Sequence, residues 1–410
     1  MKITSVFKSI AKFFNINKIF FSSLLIVIFM YAFLYISINK NPFIRHDPFD
    51  QYTRQAKAWT EGKANVPEDV SYLEIAEYQG KYYISFPPVP SIVMLPMYLL
   101  FGDNTPNTMV TFLEIFFTFI IAYKIFSRKI KPAAAAFTAG FFVFASSALV
   151  ISFSGDVWFH AQVLSFLLLT LAVCALTSSN KAYWNVSLVF VALSVGCRPL
   201  NIVYFVPFYY MLYTKLRDSG MLKTEDKKTF KAKQYLLMIL KYIWMPVVVG
   251  VALMVYNYIR FDNPFVFGHK YLPNFAENSQ FGFEYLLNNL KCTFRLPTIE
   301  GGKIVFPAFD GFAFWMCCPF FLYAFIEFIL RDKKTLDWVV LGTFLVHFFL
   351  MHLHMGMGGP QFGTRYMVDL LPYMLILVYN GEIKERVYAY VLAAFGIIIN
   401  VYGVGFHYMK

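Results

Sequence analysis

The sequence predicts an all-α polytopic membrane protein with about eleven transmembrane helices, within a range of ten to twelve. Three observations carry that prediction. Of the 410 residues 58% are hydrophobic and only 15% charged, with a mean hydropathy of +0.54, which is too apolar for a soluble chain of this length. Apolar runs long enough to cross ~30 Å of hydrocarbon recur from one end to the other. Lysine and arginine collect in alternate loops, the pattern that fixes the orientation of membrane spans.

In chain order the expected spans are roughly 19–38, 107–126, 133–152, 161–178, 183–197, 200–214, 237–257, 310–330, 335–352, 366–380 and 387–407. The first is long and lacks a small-residue cleavage site, so it is expected to be a retained anchor rather than a signal peptide. The stretch FPPVPSIVMLPMYLLF (86–101) is apolar but short and carries four prolines, which predicts an interfacial or re-entrant segment. The short fifth and sixth spans meet at GCRP (196–199), where proline breaks the helix. Arg198 there needs a partner or a wet cavity, because lipid does not tolerate a bare guanidinium.

The basic segments are the N-terminus, SRKIK (127–131), the loop 215–236, RDKK (331–334) and KER (384–386). With the N-terminus inside, all of them fall in the cytoplasm. Loops 153–160 and 353–364 contain no lysine or arginine and fall outside, as do the long loops 39–106 and 258–309, and all seven histidines fall in outer loops or the outer halves of spans. The first outer loop is expected to contain interfacial helices. The whole chain, 1–410, is then one integral unit of a plasma membrane, with its chemistry extracytoplasmic. The net charge of +12 reports topology and contact with anionic lipid rather than nucleic acid, for which no motif is present. A phosphate-cradling glycine loop is absent, which argues against a nucleotide site on the inner face. Cys174, Cys197, Cys292, Cys317 and Cys318 lack metal or disulfide spacing and are expected to pack as small apolar groups. No internal repeat is visible, which disfavours an inverted-repeat transporter.

Four outer segments hold groups that could do chemistry. RHDPFDQY (45–52) opens a helix, with Asp47 expected at the cap, Pro48 at the first position, Asp50 at the third and Gly62 as the stop. Capping accounts for two such carboxylates, yet a carboxylate fixed at the membrane surface can also accept a hydroxyl proton, with His46 tuning it. In SGDVWFHAQ (154–162), Asp156 and His160 are four apart and share a helix face. They could bind a divalent metal; the plainer account is that Asp156 caps the span and His160 reaches toward the headgroups. YNYIRFDNPFVFGHKY (256–271) interleaves aromatics with Arg260, His269 and Lys270, which suits an interfacial belt or a sugar and lipid-phosphate rim. HLHMGMGGPQFGTRYMVDLLPY (352–373) is a glycine-rich flexible loop carrying Gln361, followed by Arg365 and Asp369 one turn apart. These two could pair along the helix, or Arg365 could serve a phosphate.

The order of GKYYISFPPVPSIVMLP, GDVWFHAQVLSFLLLTLA, CRP, YNYIRFDNPFVFG and GGPQFGTRYMVDLLP behind an acidic first outer loop resembles the bacterial GT-C membrane glycosyltransferases. The branch it is most similar to is that of protein O-mannosyltransferases and lipid A aminoarabinose transferases. The resemblance covers most of the chain and least the loop 215–236. It implies a polyprenyl-phosphate-sugar donor, a glycan, lipid or protein acceptor, and inverting transfer outside the cytoplasm. It places the catalytic base at Asp47 or Asp50 and a second acid at Asp156. The lipid phosphate would fall to Arg365, with Arg198 as a further cation. Many relatives carry an Asp-Glu pair where Asp50 is followed by Gln51, so the base stays open between the two aspartates. His46, Arg260, His269, Lys270 and Gln361 complete the expected substrate contacts, and a divalent metal at Asp156 and His160 is a candidate cofactor. The competing readings are a lipid-linked saccharide flippase or transporter, a polysaccharide ligase or polymerase, and a non-catalytic membrane partner.

Overall fold

A computed structural model describes residues 17–45, 47–222, 231–276, 278–384 and 386–409. Fifteen helices of nine or more residues carry the described chain: α1 (Lys18–Ser37), α2 (Tyr52–Thr60), α3 (Val89–Phe101), α4 (Asn107–Phe126), α5 (Pro132–Phe144), α6 (Val157–Thr177), α7 (Val186–Val195), α8 (Phe205–Asp218), α9 (Ala232–Tyr242), α10 (Trp244–Phe261), α11 (Leu286–Phe294), α12 (Phe320–Ile329), α13 (Thr335–His352), α14 (Leu371–Asn380) and α15 (Val387–Tyr408). Six of them, α1, α4, α6, α10, α13 and α15, are long and apolar enough to cross a membrane. The protein is a polytopic, mostly helical membrane protein.

Of the remaining expected spans, 183–197 holds the short continuous α7, and the others break or change helix type where the sequence contains the cause. The run 133–152 splits after Phe144, where Ser146 turns its hydroxyl onto the backbone N–H of Ala148 (3.3 Å) and starts a short helix, Ser147–Ile151. The run 310–330 splits at Pro319, which opens α12. Pro199 and Pro372 likewise follow irregular or 3-10 turns instead of interrupting α-helix. The segment 86–101 forms α3, thirteen residues or about 20 Å long, too short to span, as its prolines led us to expect. Two small hairpins depart from the all-α expectation. Strands β1 (Ile75–Tyr78) and β2 (Lys81–Ile84) turn through Gln79 and Gly80, both at positive φ; β3 (Thr298–Glu300) and β4 (Lys303–Val305) turn through Gly301 and Gly302.

The bundle has two chemically different ends. Helices α4 and α6 run the same way, and Arg128 just beyond α4 reaches Cys174 O (2.8 Å) at the close of α6. At that end Lys129 bonds the carbonyls of Tyr379 and Gly381, and Arg331 bonds Leu377 O (3.1 Å). The described basic loops 127–131 and 331–334 therefore gather at one end with the loop after α14, as expected, while the basic N-terminus and residues 223–230 lie outside the described residues. The starts of α4 and α6 lie about 30 Å away along the helix axes, where Asn107 touches Asp47 and Asp50 and where α15 ends against Val150. Between the ends lies an aromatic core: Tyr31 stacks on Phe153 at 4.9 Å and Tyr204 on Tyr373 at 3.9 Å. All five cysteines are buried and unbridged, as expected.

Candidate active site

The end opposite the basic loops assembles acids from three segments. Helix α2 begins at Tyr52, not at Pro48, so the expected cap assignment shifts by one turn. Asp50, not Asp47, does the capping: its carboxylate accepts the Thr53 N–H (3.0 Å), the Thr53 hydroxyl and the Asn107 amide (3.3 Å), and it is fully buried. Asp47 is released from that duty. One of its oxygens is 3.4 Å from the Phe49 N–H and the other meets the Ser154 hydroxyl. The same hydroxyl lies 2.9 Å from Asp156, whose second oxygen caps α6 through the Phe159 N–H (2.7 Å). The tight turn that delivers Ser154 and Asp156 requires Gly155, since a Cβ there would lie 2.6 Å from Asn107.

Burial raises the pKa of both carboxyls. Asp156 is pushed up to about 7, by desolvation first and by the neighbouring Asp47 charge second. Asp47 is raised by desolvation, opposed by the Ser154 hydrogen bond and by Lys40. Lys40, just past α1, feels both carboxylates and lies 4.4 Å from the Tyr408 ring centroid.

A third acid, Glu74, accepts the Trp158 indole N–H (3.2 Å) and sits 3.9 Å from His269. Burial raises its pKa, while the Trp158 bond and the charge of Arg365 pull it down. His269 packs edge-on to Phe86 and is held neutral: desolvation, then His354 and Arg198, lower its pKa to about 3.

Arg365 occupies the centre, 2% exposed. It does not pair with Asp369 as the turn spacing allowed. Asp369 takes Arg198 instead, with Nε and Nη2 each 3.0 Å from one carboxylate oxygen, which supplies the partner Arg198 needed in the apolar bundle. The reason is backbone geometry: residues 365–370 form a 3-10 helix, where four-apart side chains do not share a face. Gln162 bridges the gap, accepting from Arg365 Nη1 (2.7 Å) and donating to Asp369 (3.2 Å). Arg365 Nη2 points to Gly358 O (3.3 Å), and Nε has no acceptor among the described residues. Gln361 orients the arginine from behind, accepting its backbone N–H (3.0 Å). Arg365 and Arg198 lie on one Tyr366 ring, at 4.7 and 5.0 Å. A buried guanidinium with an open Nε and no carboxylate partner, beside an arginine already neutralised, can take a phosphate.

No family model and no curated protein matches the chain. Two solved structures resemble it over nearly its whole length. ArnT from Cupriavidus metallidurans, crystallised bound to undecaprenyl phosphate, is 12% identical with a TM-score of 0.50, covering 94% of this chain and 63% of that one. The apo oligosaccharyltransferase of Archaeoglobus fulgidus is 12% identical with a TM-score of 0.51, covering 95% and 56%. The chain has the GT-C fold. It spans less than two thirds of the length of either neighbour.

Within this GT-C bundle the structure brings together Asp47, Asp156, Arg365, Arg198, His269 and Gln361 from the expected set. Three others go elsewhere. His160 Nε2 meets Glu114 at 2.9 Å inside the bundle, and among the described residues no side-chain contact joins it to Asp156. Arg260 is consumed by Ile84 O (2.6 Å) and Asn257 (2.7 Å), clamping β2 to α10. Lys270 is exposed, and His46 lies outside the described residues. Sequence reading missed Lys40, Glu74, Glu114, Ser154 and Gln162. Glu114 was findable as a lone acid in an apolar run; Glu74 and Gln162 gave no local signal.

Proposed function

We propose that the protein transfers a sugar from a polyprenyl-phosphate donor to an acceptor hydroxyl, with Asp47 as base. The observation that carries this reading is the Asp47–Ser154–Asp156 constellation facing a buried, carboxylate-free Arg365 at one end of a GT-C bundle. The acceptor oxygen attacks the anomeric carbon and its proton passes to Asp47. The bond from that carbon to the phosphate oxygen breaks, and the polyprenyl phosphate leaves with its charge set against Arg365. A single displacement inverts the anomeric centre. Asp50, spent on capping, holds α2 in place and takes no proton. Glu74 feels the charge of Arg365 and His269 that of Arg198, and this pair, 3.9 Å apart, would bond a sugar hydroxyl.

A hard divalent cation, if the reaction uses one, would be held by the carboxylates of Asp47 and Asp156, which meet at the Ser154 hydroxyl. When bound it would add positive charge beside the leaving phosphate. The basic end faces the cytoplasm of a bacterial plasma membrane and the acid end faces outward.

The test is a panel of radiolabelled polyprenyl-phosphate sugars, given to the purified protein in vesicles with an extract of envelope acceptors. Transfer from one donor with an inverted product linkage supports the reading. Movement of intact donor across the bilayer without transfer contradicts it and identifies a flippase.

A further inference from the structure

At the basic end, about 30 Å from the acids, the bundle carries an open-sided cavity of ≈ 640 Å³. Its described lining contains four cations, Lys129, Lys131, Lys384 and Arg386, and no carboxylate. Its wall is apolar: Phe137, Phe141 and Tyr323 line it, and Phe137 meets Tyr390 at 4.5 Å. The volume is that of a small-molecule site.

Among the described residues two carboxylates meet these four cations without cancelling them: the exposed Glu382 pairs with Lys384 at 3.0 Å, an ion pair that water screens, and Glu327 stands near Arg386. Glu327 accepts the Tyr388 hydroxyl and stands 3.7 Å from Arg386 Nε, beyond hydrogen-bond range. Asp337 is clamped by Arg331 at 2.7 Å. Lys129 is crowded by like charge: desolvation and then Lys334, Arg331 and Lys215 all lower its pKa. The cavity also opens toward lipid. Val387, Tyr390 and Val391, on the adjoining start of α15, are 81%, 44% and 62% exposed, an apolar face that only acyl chains would cover in a membrane. Cations at the headgroup level above an apolar wall continuous with lipid match an amphiphile with an anionic head.

We propose that this cavity binds an anionic glycerophospholipid from the adjacent leaflet, its phosphate among Lys129, Lys131, Lys384 and Arg386 and its first methylenes against Phe137 and Phe141. It is separate from the site read as holding donor phosphate at Arg365, and it does not depend on that reading.

The experiment is native mass spectrometry of the full, delipidated protein titrated with phosphatidylglycerol and with phosphatidylcholine of matched chains. Wild type should retain phosphatidylglycerol in preference, and Lys131→Gln/Lys384→Gln should weaken that binding about tenfold. Lys181→Gln/Lys333→Gln, with the same loss of charge elsewhere at this end, should leave it unchanged. Both double variants should melt with wild type in phosphatidylcholine vesicles, since Lys131 and Lys384 are surface residues. Four results would overturn the proposal: no preference between the lipids; equal loss in both double variants; displacement of bound phosphatidylglycerol by inorganic phosphate, which would make it a free-anion site; or displacement by polyprenyl phosphate through this cavity, which would make it a donor site.

Discussion

Asp47 and Asp156 meet at one atom: the Ser154 Oγ is hydrogen-bonded to Asp47 Oδ2 and lies 2.9 Å from Asp156 Oδ2. A hydroxyl has a single proton to donate. Both contacts can be hydrogen bonds only if one carboxyl keeps its own proton and donates it back to Oγ. Two buried carboxylates so close need that shared proton, or a cation in its place.

This geometry sets the pH dependence of transfer. The proposed base must be unprotonated, and both carboxyls are raised, Asp156 to about 7. We expect kcat/KM to rise with pH through the neutral range. Asp156→Asn removes a like charge, so the rising limb should move to lower pH. Ser154→Ala removes a bond that favours the ionised Asp47, so the limb should move to higher pH. A limb unmoved in both variants contradicts the pair. Stability has the opposite sign. A fold that raises these carboxyls is stabilised by their protonation, fully so below the ordinary carboxylate range, and loses that contribution as pH rises through about 7. Melting temperatures of wild type and Asp156→Asn across that window measure it.

Asp50 should behave as a cap. Asp50→Ala is expected to cost about 1 kcal/mol or more, because the buried Thr53 N–H and Asn107 amide lose their acceptor. Thermal unfolding in detergent checks this, and the folded fraction should keep its lipid affinity.

Arg365 is held by a close backbone. Gly358 has φ +104, and a Cβ there would lie 2.8 Å from Arg365 Nε and Nη2. Gly358→Ala should therefore push the guanidinium aside and weaken binding of polyprenyl phosphate, as should Arg365→Gln. Arg365→Lys should restore little, because a point charge does not reproduce the fork. Equilibrium binding of a labelled lipid phosphate gives the answer.

The Arg198–Asp369 pair should be structural. Arg198→Ala leaves Asp369, 4% exposed, with Gln162 as its only described side-chain partner, and is expected to cost about 3–5 kcal/mol. Arg198→Ala/Asp369→Leu should recover most of that loss in a melting experiment.

Orientation is open to direct labelling. Lys63, exposed beyond α2, can be replaced by cysteine against a background of five buried native thiols. The substituted thiol should react with an impermeant reagent in intact cells; protection would reverse the membrane sides.

Much of this was legible in the sequence, and the limits have physical causes. Charge segregation between loops is a property of composition along the chain, so the two ends of the bundle were visible beforehand. The acids of RHDPFDQY and SGDVWFHAQ were visible for the same reason. What periodicity could not give was the break in each shorter span, because apolar content continues through Ser146 and Pro319 while the backbone does not. It also allowed an Arg365–Asp369 pair, whose spacing presumes an α-turn where the chain forms a 3-10 turn. The proposed choice of Asp47 over Asp50 rests on Thr53 and Asn107, which occupy Asp50, and the link to Asp156 rests on Ser154. These are contacts between distant segments that only the folded chain reveals.

The central claim is that Asp47 takes the acceptor's proton. The most direct measurement is single-turnover transfer from a bound polyprenyl-phosphate sugar by wild type, Asp47→Asn and Asp50→Asn, each with its lipid affinity and melting temperature. The account predicts that Asp47→Asn loses about a hundredfold or more in the transfer step while folding and lipid binding persist. Asp50→Asn should lose stability and keep the transfer rate of its folded fraction. Full transfer by Asp47→Asn would contradict the account.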